Sequence, residues 1–163
     1  MTTLEVTFPD EWLTMPMTAA GGGVTTLLPT PDQLDFDRHA SLALLGEWSG
    51  VRVQAFCAVG AVPGTGTDAE LRLVAESGRH RGLERDTVDV ELSVGHGVRS
   101  SAFRFAAELL DDLTIAPYTA EVRFALPLPG NRIGVLHFET LSLTFFEELE
   151  CLFDMIAGTA RVA

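Results

Sequence analysis

The chain has 163 residues, with 11 arginines, no lysine and 23 acidic residues, so its formal net charge is −12. This charge repels polyanions, which disfavours binding to nucleic acid or to an anionic membrane. Because lysine is absent, the chain cannot form a lysine Schiff base, hold pyridoxal phosphate through one, or supply a P-loop lysine.

The length and the cysteines point to a single intracellular domain. A chain of this size predicts one domain, here 1–163, with a core large enough to need no disulfide. Cys57 and Cys151 match no metal or redox spacing, and each lies in an apolar run, so we expect buried free thiols. The first residues, Met1–Glu5, lack a basic and apolar leader pattern. We therefore expect a cytoplasmic protein.

The first half of the chain predicts mostly extended structure. Leu4–Phe8 and Trp12–Met17 are predicted to be short strands, and Ala40–Gly46 and Val51–Val62 to form a hairpin. A helix over Asp32–Leu45 is the competing interpretation, because the leucines in that segment lie near helical spacing.

A helix and a second hairpin are predicted next. Thr67 and Glu70 have the spacing of a capping box, which predicts a helix that runs to about Gly78 and buries Leu71, Val74 and Ala75. Thr87–Val94 alternates apolar and polar residues, as a half-buried strand does, and Gly95-His96-Gly97 is predicted to be the turn before a strand over Val98–Ala106.

The last third predicts a hairpin and a closing helix. Tyr118–Leu128 and Arg132–Thr140 are expected to pair around Pro129-Gly130-Asn131. The predicted register pairs Val122 with Phe138 and Phe124 with Leu136 on the core face, and Arg123 with His137 on the other face. A second capping box, Thr144 with Glu147, predicts a helix that ends at Gly158. Its apolar side is formed by Phe145, Leu149, Leu152, Phe153 and Ile156, and its polar side by Glu147, Glu148, Glu150 and Asp154.

These elements predict an α+β fold with a central, mostly antiparallel sheet flanked by helices. Hairpins join neighbouring strands, which argues against a doubly wound parallel sheet.

Two motifs suggest chemistry but have simpler interpretations. Gly64–Ala69 fits the G-x-G-x-x-A pattern of a dinucleotide loop, although Pro63 and the absence of a following βαβ unit favour an ordinary loop and helix cap. Three possible metal ligands stand at alternate positions, Asp35, Asp37 and His39. In an extended segment they would lie on one face and could bind a divalent ion together. A solvated turn is the favoured interpretation, because a metal site normally needs further ligands from elsewhere.

Histidines and arginines supply the remaining candidates. His96, between two glycines, is a candidate acid or base, with a polar hairpin tip as the favoured alternative. His137 shares a strand with Glu139, opposite Arg123 and Glu121, and forms either a polar binding face or cross-strand charge pairs. The one dense basic cluster in the sequence consists of Arg79, His80, Arg81 and Arg85. It would bind an anion, an acidic partner or another copy of the chain. The alternative is that these charges only stabilise the C-terminal end of the preceding helix.

Both ends of the chain resemble the PsbP-like family, in particular its bacterial branch. Phe8-Pro9-Asp10-Glu11-Trp12 resembles the family's F-P-x-x-W opening. Leu126–Gly130, Val135–Thr140 and Phe153–Ala157 resemble its glycine-turned hairpin and the following F-D-x-I-A helix. The resemblance implies an α/β/α sandwich that acts by binding, and it transfers no catalytic residue.

We therefore expect a non-enzymatic interaction or adaptor domain, with no catalytic set, no cofactor and no metal site. We expect a protein partner or a homodimer, and no nucleic acid or membrane. The second hypothesis is a small-molecule or lipid carrier with a pocket between the sheet and a helix, lined by Trp12, Trp48, Phe103 and Phe105. The third is a metal-dependent enzyme that uses His96, Asp35, Asp37 or His39.

Overall fold

The computed structural model describes residues 2–15, 36–77, 82–105 and 118–163. The described strands and helices have the following bounds: β1 Leu4–Glu5, β2 Trp12–Thr14, β3 Asp37–Trp48, β4 Val51–Pro63, α1 Asp68–Glu76, β5 Gly82–Leu92, β6 Gly95–Phe105, β7 Tyr118–Leu128, β8 Arg132–Thr140, α2 Phe146–Gly158 and β9 Arg161–Val162.

Seven strands form one sheet in the order β2-β3-β4-β8-β7-β6-β5, and every neighbouring pair is antiparallel. This arrangement confirms the predicted α+β fold with an antiparallel sheet. The predicted hairpin β3–β4 is present, but β3 continues to Trp48, two residues beyond its predicted end, so the turn consists of Ser49 and Gly50. The competing helix is wrong over residues 37–45 because that segment is part of β3. The first strands are shorter than predicted: β1 ends at Glu5 and β2 at Thr14.

The hairpin of β7 and β8 has the predicted bounds and register. Val122 pairs with Phe138, and Arg123 pairs with His137. Gly130 and Asn131 both have positive φ, 78° and 56°, which glycine and asparagine tolerate better than other residues. The local turn residues therefore fix which side chains of β7 and β8 face each other.

The turn between β5 and β6 differs from the prediction. Leu92 pairs with Gly95, so the loop consists of Ser93 and Val94, and His96 lies within β6. The Ser93 hydroxyl donates a hydrogen bond to the Ala160 carbonyl, and Val94 packs against the large apolar cluster, or main core, that contains Phe138 and Phe153. Contacts with a distant part of the chain thus hold the turn two residues earlier than the glycines indicate.

The two described helices pack on opposite faces of the sheet. Side chains of alternating residues on β4, β7 and β8 belong to separate apolar clusters. The α2 face carries the larger cluster, in which Phe138 stacks on Phe153 of α2 with ring centroids 4.4 Å apart. The α1 face carries a smaller cluster that includes Leu71, Val74 and Ala75 of α1, the three residues predicted to be buried.

The two predicted capping boxes have different outcomes. Thr67 caps α1 and forms the complete capping box with Glu70, as predicted. The box predicted at Thr144 is wrong, because Leu143–Phe145 is a 3₁₀ turn and α2 begins at Phe146 without a side-chain cap. Two aromatic contacts hold this turn: Phe145 packs edge-on against Trp48, and Phe146 packs against Phe103.

Residues from the two ends of the chain pair with each other as β1 and β9, with Leu4 opposite Val162. Leu4 itself is buried in the main core. Among the described helices, none has the length and apolar character needed to cross a membrane.

Candidate functional site

A buried polar cluster lies on the α1 face, on the central strand β8 and its neighbour β7. It consists of Glu121, Arg123, His137 and Glu139, whose exposed fractions are 0%, 1%, 8% and 5%. The hairpin register places Glu121 opposite Glu139 and Arg123 opposite His137, so the four side chains form two adjacent rows. Burial of so many ionisable groups is costly unless they are hydrogen-bonded or bind an ion.

Arg123 connects the cluster to helix α1. Its Nη1 donates to the carbonyl oxygens of Val74 and Ser77, at 3.3 and 2.6 Å. Helix α1 has no basic residue in its own last turn, so Arg123 supplies the positive charge that suits the C-terminal end of a helix dipole. Strand β7 therefore fixes the end of α1.

The hydrogen bonds of the cluster define the tautomer of His137. Arg123 Nε donates to His137 Nδ1 at 3.1 Å, so Nδ1 must present its lone pair. The proton of the neutral ring then lies on Nε2, which donates to Glu139 Oε1 at 2.7 Å. Arg123, His137 and Glu139 thus form a directed chain of hydrogen bonds from the end of α1 to the second row of carboxylates.

Three members of the cluster have the composition of a metal-ligand group. Glu121, His137 and Glu139 each offer one ligand atom, and these atoms lie within 4.8 Å of one another. The sequence prediction brought these residues together as a polar face, but it predicted no metal site. It could not reveal that the face is buried.

Cys57 pairs with Phe138 of β8 and belongs to the core on the opposite, α2 face of the sheet. Burial raises the pKa of Cys57 well above its ordinary value, although a hydrogen bond with the backbone of His137 acts in the opposite direction. Cys57 is therefore the buried free thiol that was predicted. The same prediction for Cys151 is wrong, because α2 turns this residue to the exposed side.

The other candidate residues have different partners from those of this cluster or lie outside the described residues. Asp37 forms an ion pair with Arg132 at 3.1 Å, and His39 Nε2 donates to the Leu4 carbonyl at 2.6 Å. Asp35 lies outside the described residues, so the proposed row of three ligands is not seen together.

His96 lies among acidic side chains next to α1. Its Nε2 is 3.3 Å from Asp68 and 3.8 Å from Asp89, and its Nδ1 is 3.3 Å from Glu91. Arg72 also binds Asp89 at 2.7 Å. All these groups are partly exposed, which is typical of surface charge pairing.

The glycine loop before α1 is occupied by a carboxylate. Glu70 Oε2 accepts hydrogen bonds from the backbone and the hydroxyl of Thr65, and from the backbone of Thr67. These bonds, with that of the Thr65 hydroxyl as the largest cause, lower the pKa of Glu70. A negative side chain thus takes the position that a phosphate would need, which supports the helix-cap interpretation.

Most of the predicted basic cluster lies outside the described residues, and three of the four aromatic residues predicted to line a pocket pack against other rings. Arg79, His80 and Arg81 lie outside the described residues, and Arg85 pairs with Ala102 within the β5–β6 hairpin. The aromatic rings predicted to line a pocket contact other rings instead, as the following centroid distances show: Trp12 to Phe8 5.3 Å, Trp12 to Phe138 6.3 Å, Trp48 to Phe145 5.5 Å and Phe103 to Phe146 5.0 Å.

Sequence reasoning missed one charged contact between the sheet and α2. Arg99 on β6 donates to Glu150 at 2.6 Å and to Asp154 at 2.7 Å. Burial acts to lower the pKa of Arg99, but the hydrogen bonds that it donates to the two carboxylates raise the pKa overall. The i, i+4 spacing of the two acids on one helix face was a signal for a shared basic partner.

The fold defines the chain as an α+β protein with a seven-stranded antiparallel sheet. Among solved structures it is similar to LpqN, involved in cell envelope biogenesis of Mycobacterium tuberculosis, with a TM-score of 0.58 and 10% sequence identity over 100% of this chain and 84% of that chain. At this identity the likeness concerns the fold alone. No family model and no curated protein matches the sequence.

Proposed function

We propose that the chain is a non-enzymatic protein-interaction domain that associates with a second copy of itself through the β2 edge of the sheet. The observation that carries this proposal is a pair of exposed leucines, Leu13 on β2 and Leu45 on β3, each 54% exposed. Leu13 pairs with Ala43, and Leu45 lies two residues further along β3, so both leucines are on the α1 face. Adjacent exposed apolar side chains beside a strand edge are typical of an association surface.

The two edges of the sheet differ in charge. Strand β5, at the other edge, exposes Asp86, Asp89 and Glu91. A second copy added to β5 would bring like charges together, which opposes strand pairing. Strand β2 contains Trp12, Leu13 and Thr14 and no charged residue. Edge pairing between two copies is therefore favoured at β2.

Size-exclusion chromatography with light scattering tests this proposal. We expect a concentration-dependent dimer that Leu13→Gln and Leu45→Gln shift to monomer without loss of folded stability. Leu73→Gln is the matched control, because Leu73 is even more exposed but lies on α1. A stable interface buries more than about 1,000 Å² in total, so it should be detectable by these measurements. A strict monomer at every concentration, with no partner in pull-down experiments, would contradict the proposal.

A carrier function is the second candidate. The buried Trp12 Nε1 has no hydrogen-bond partner among the described residues, and it would donate to an acceptor on a bound molecule. The ring contacts of Trp12 support a core role instead, so we rank this function second. Tryptophan fluorescence titrated with a fatty acid tests it; an unchanged emission spectrum would contradict it.

The resemblance to the PsbP-like family and the α/β/α sandwich stay proposals. The placement of α1 and α2 on opposite faces of the sheet supports the sandwich. We also propose a cytoplasmic location, which cell fractionation tests. Recovery in the envelope fraction would contradict it, and would agree with the role stated for LpqN.

A further inference from the structure

We propose that Glu121, His137 and Glu139 form a binding site for one divalent transition-metal ion, such as Zn²⁺ or Mn²⁺. The site lies on the α1 face and is separate from the leucine pair on the β2 edge. It goes beyond the proposed interaction function, because nothing in that function requires a metal.

The distances between the donor atoms suit a metal ion. The three ligand atoms lie within 4.8 Å of one another, and His137 Nε2 is 2.7 Å from Glu139 Oε1. Ligand atoms at about 2.0–2.2 Å from one ion are separated by roughly 3–4 Å. A small rotation of the glutamate side chains would therefore bring all three donors into the first coordination sphere.

The donor types define the class of ion. Two carboxylates and one imidazole favour Zn²⁺ or Mn²⁺, because imidazole suits the transition metals, whereas Ca²⁺ and Mg²⁺ prefer oxygen ligands alone. The two carboxylates offset the charge of a divalent ion, while Arg123 adds one positive charge to the cluster. Their position directly opposite each other on β7 and β8 is unfavourable for two like charges and becomes favourable around a cation.

The surroundings of the triad support this role. The hydroxyl of Thr119 is fully buried and has no hydrogen-bond partner among the described residues. Thr119 precedes Glu121 by two residues on β7, so its side chain lies on the same face. On the same face as Glu121, this hydroxyl would donate to a water bound to the ion, as groups around a metal site commonly do.

Arg123 must give up one hydrogen bond when the ion binds. Its guanidinium contacts Nδ1 of His137, and its remaining described bonds go to the carbonyls at the end of α1. The ion would occupy the Nε2 side of the ring. A neutral ring binds the ion through Nε2 only if its proton lies on Nδ1. The Nε2–H bond therefore breaks and an Nδ1–H bond forms, while the freed Nε2 lone pair binds the ion. Arg123 Nε gives up its bond to Nδ1, and Nη1 keeps its bonds to the carbonyls of Val74 and Ser77. The ring stays neutral, so no net proton is released.

The test uses the full chain after treatment with EDTA and dialysis. We expect about one equivalent of Zn²⁺ or Mn²⁺ per chain by elemental analysis after dialysis against the metal. With metal at about 100 times its Kd, we expect the Tm to rise by roughly 5–10 °C.

Glu139→Gln is the decisive variant, because its amide oxygen still accepts from His137 while the charged ligand is lost. We expect it to fold and to lose the metal-dependent Tm shift. Glu91→Gln, next to the exposed His96, is the matched control and should keep the shift. If Glu139→Gln does not fold, Glu121→Gln takes its place.

Two results would overturn the proposal. One is wild-type protein that binds neither ion at millimolar concentration, which would leave a purely structural hydrogen-bond network. The other is binding that survives Glu139→Gln and Glu121→Gln but disappears with His96→Asn, which would place the ion among His96 and the acidic side chains around it. Neither result bears on the oligomeric state, so this proposal and the interaction function fail separately.

Discussion

Replacement of Arg99 by methionine should destabilise the fold by detaching α2 from the sheet. The guanidinium of Arg99 is buried, donates to both Glu150 and Asp154, and lies 5.9 Å from the centroid of the Phe124 ring. Methionine retains much of the apolar side chain but none of these hydrogen bonds. It also leaves two carboxylates one helical turn apart without their shared partner, and such a pair repels.

The expected magnitude follows from burial. Two hydrogen bonds between charged groups would contribute about 1.5–3 kcal/mol each if fully buried. The side chains of Glu150 and Asp154 are 30% and 49% exposed, so solvent screens part of this energy. We expect a loss of about 2–3 kcal/mol in the free energy of unfolding, which corresponds to a decrease of roughly 5–10 °C in Tm for a domain of this size.

Urea unfolding followed by circular dichroism measures this loss, with Arg161→Met as the control. Arg161 also forms an ion pair, with Glu5 at 2.9 Å, but it is exposed, so its replacement should change stability by less than about 0.5 kcal/mol. In a Glu150→Gln, Asp154→Asn background, Arg99→Met should cost less than in the wild type. A loss below about 0.5 kcal/mol, or an equal loss in both backgrounds, would refute the proposed role of the ion pairs.

Three further predictions follow from the core, the cap of α1 and the cysteines. Phe153→Ala should remove the ring that stacks on Phe138 and cost about 3–5 kcal/mol in urea unfolding; a cost below about 1 kcal/mol would contradict the packing. Hydrogen bonds lower the pKa of Glu70 in the folded protein below its ordinary value of 4.5. The ionised Glu70 carboxylate therefore stabilises the fold above the pKa of the unfolded chain, and this stabilisation is lost as the pH falls through the folded-state pKa. Glu70→Gln should therefore flatten the acid side of the pH–stability curve, measured by urea unfolding, and an unchanged curve would argue against the capping box. A thiol reagent should label Cys151 rapidly in the native protein and Cys57 only on unfolding, because Cys57 is buried and its pKa is raised. Equal labelling rates for the two cysteines would contradict the burial of Cys57.

Local sequence signals determined the hairpin of β7 and β8 and the start of α1. Gly130 and Asn131 accept positive φ, so the turn fixes the register and with it the pairing of Arg123 with His137. Thr67 and Glu70 satisfy the first backbone N–H groups of α1 within a few residues. These features were predicted because every group involved is close in sequence.

Only the tertiary structure decided the burial of the polar cluster and the attachment of the helices. The alternation on β7 and β8 indicates which residues share a face, but it cannot show that Glu121 and Glu139 are excluded from water. The contacts from Arg123 to the end of α1 and from Arg99 to α2 join residues about 50 positions apart. Long-range contacts also moved the β5–β6 turn and the start of α2. Side chains that meet only after the sheet has formed leave at most half of a pattern in the sequence, as the spacing of Glu150 and Asp154 does without identifying Arg99. The sequence therefore predicted most elements and the β7–β8 pairing, and packing determined which charges became buried partners.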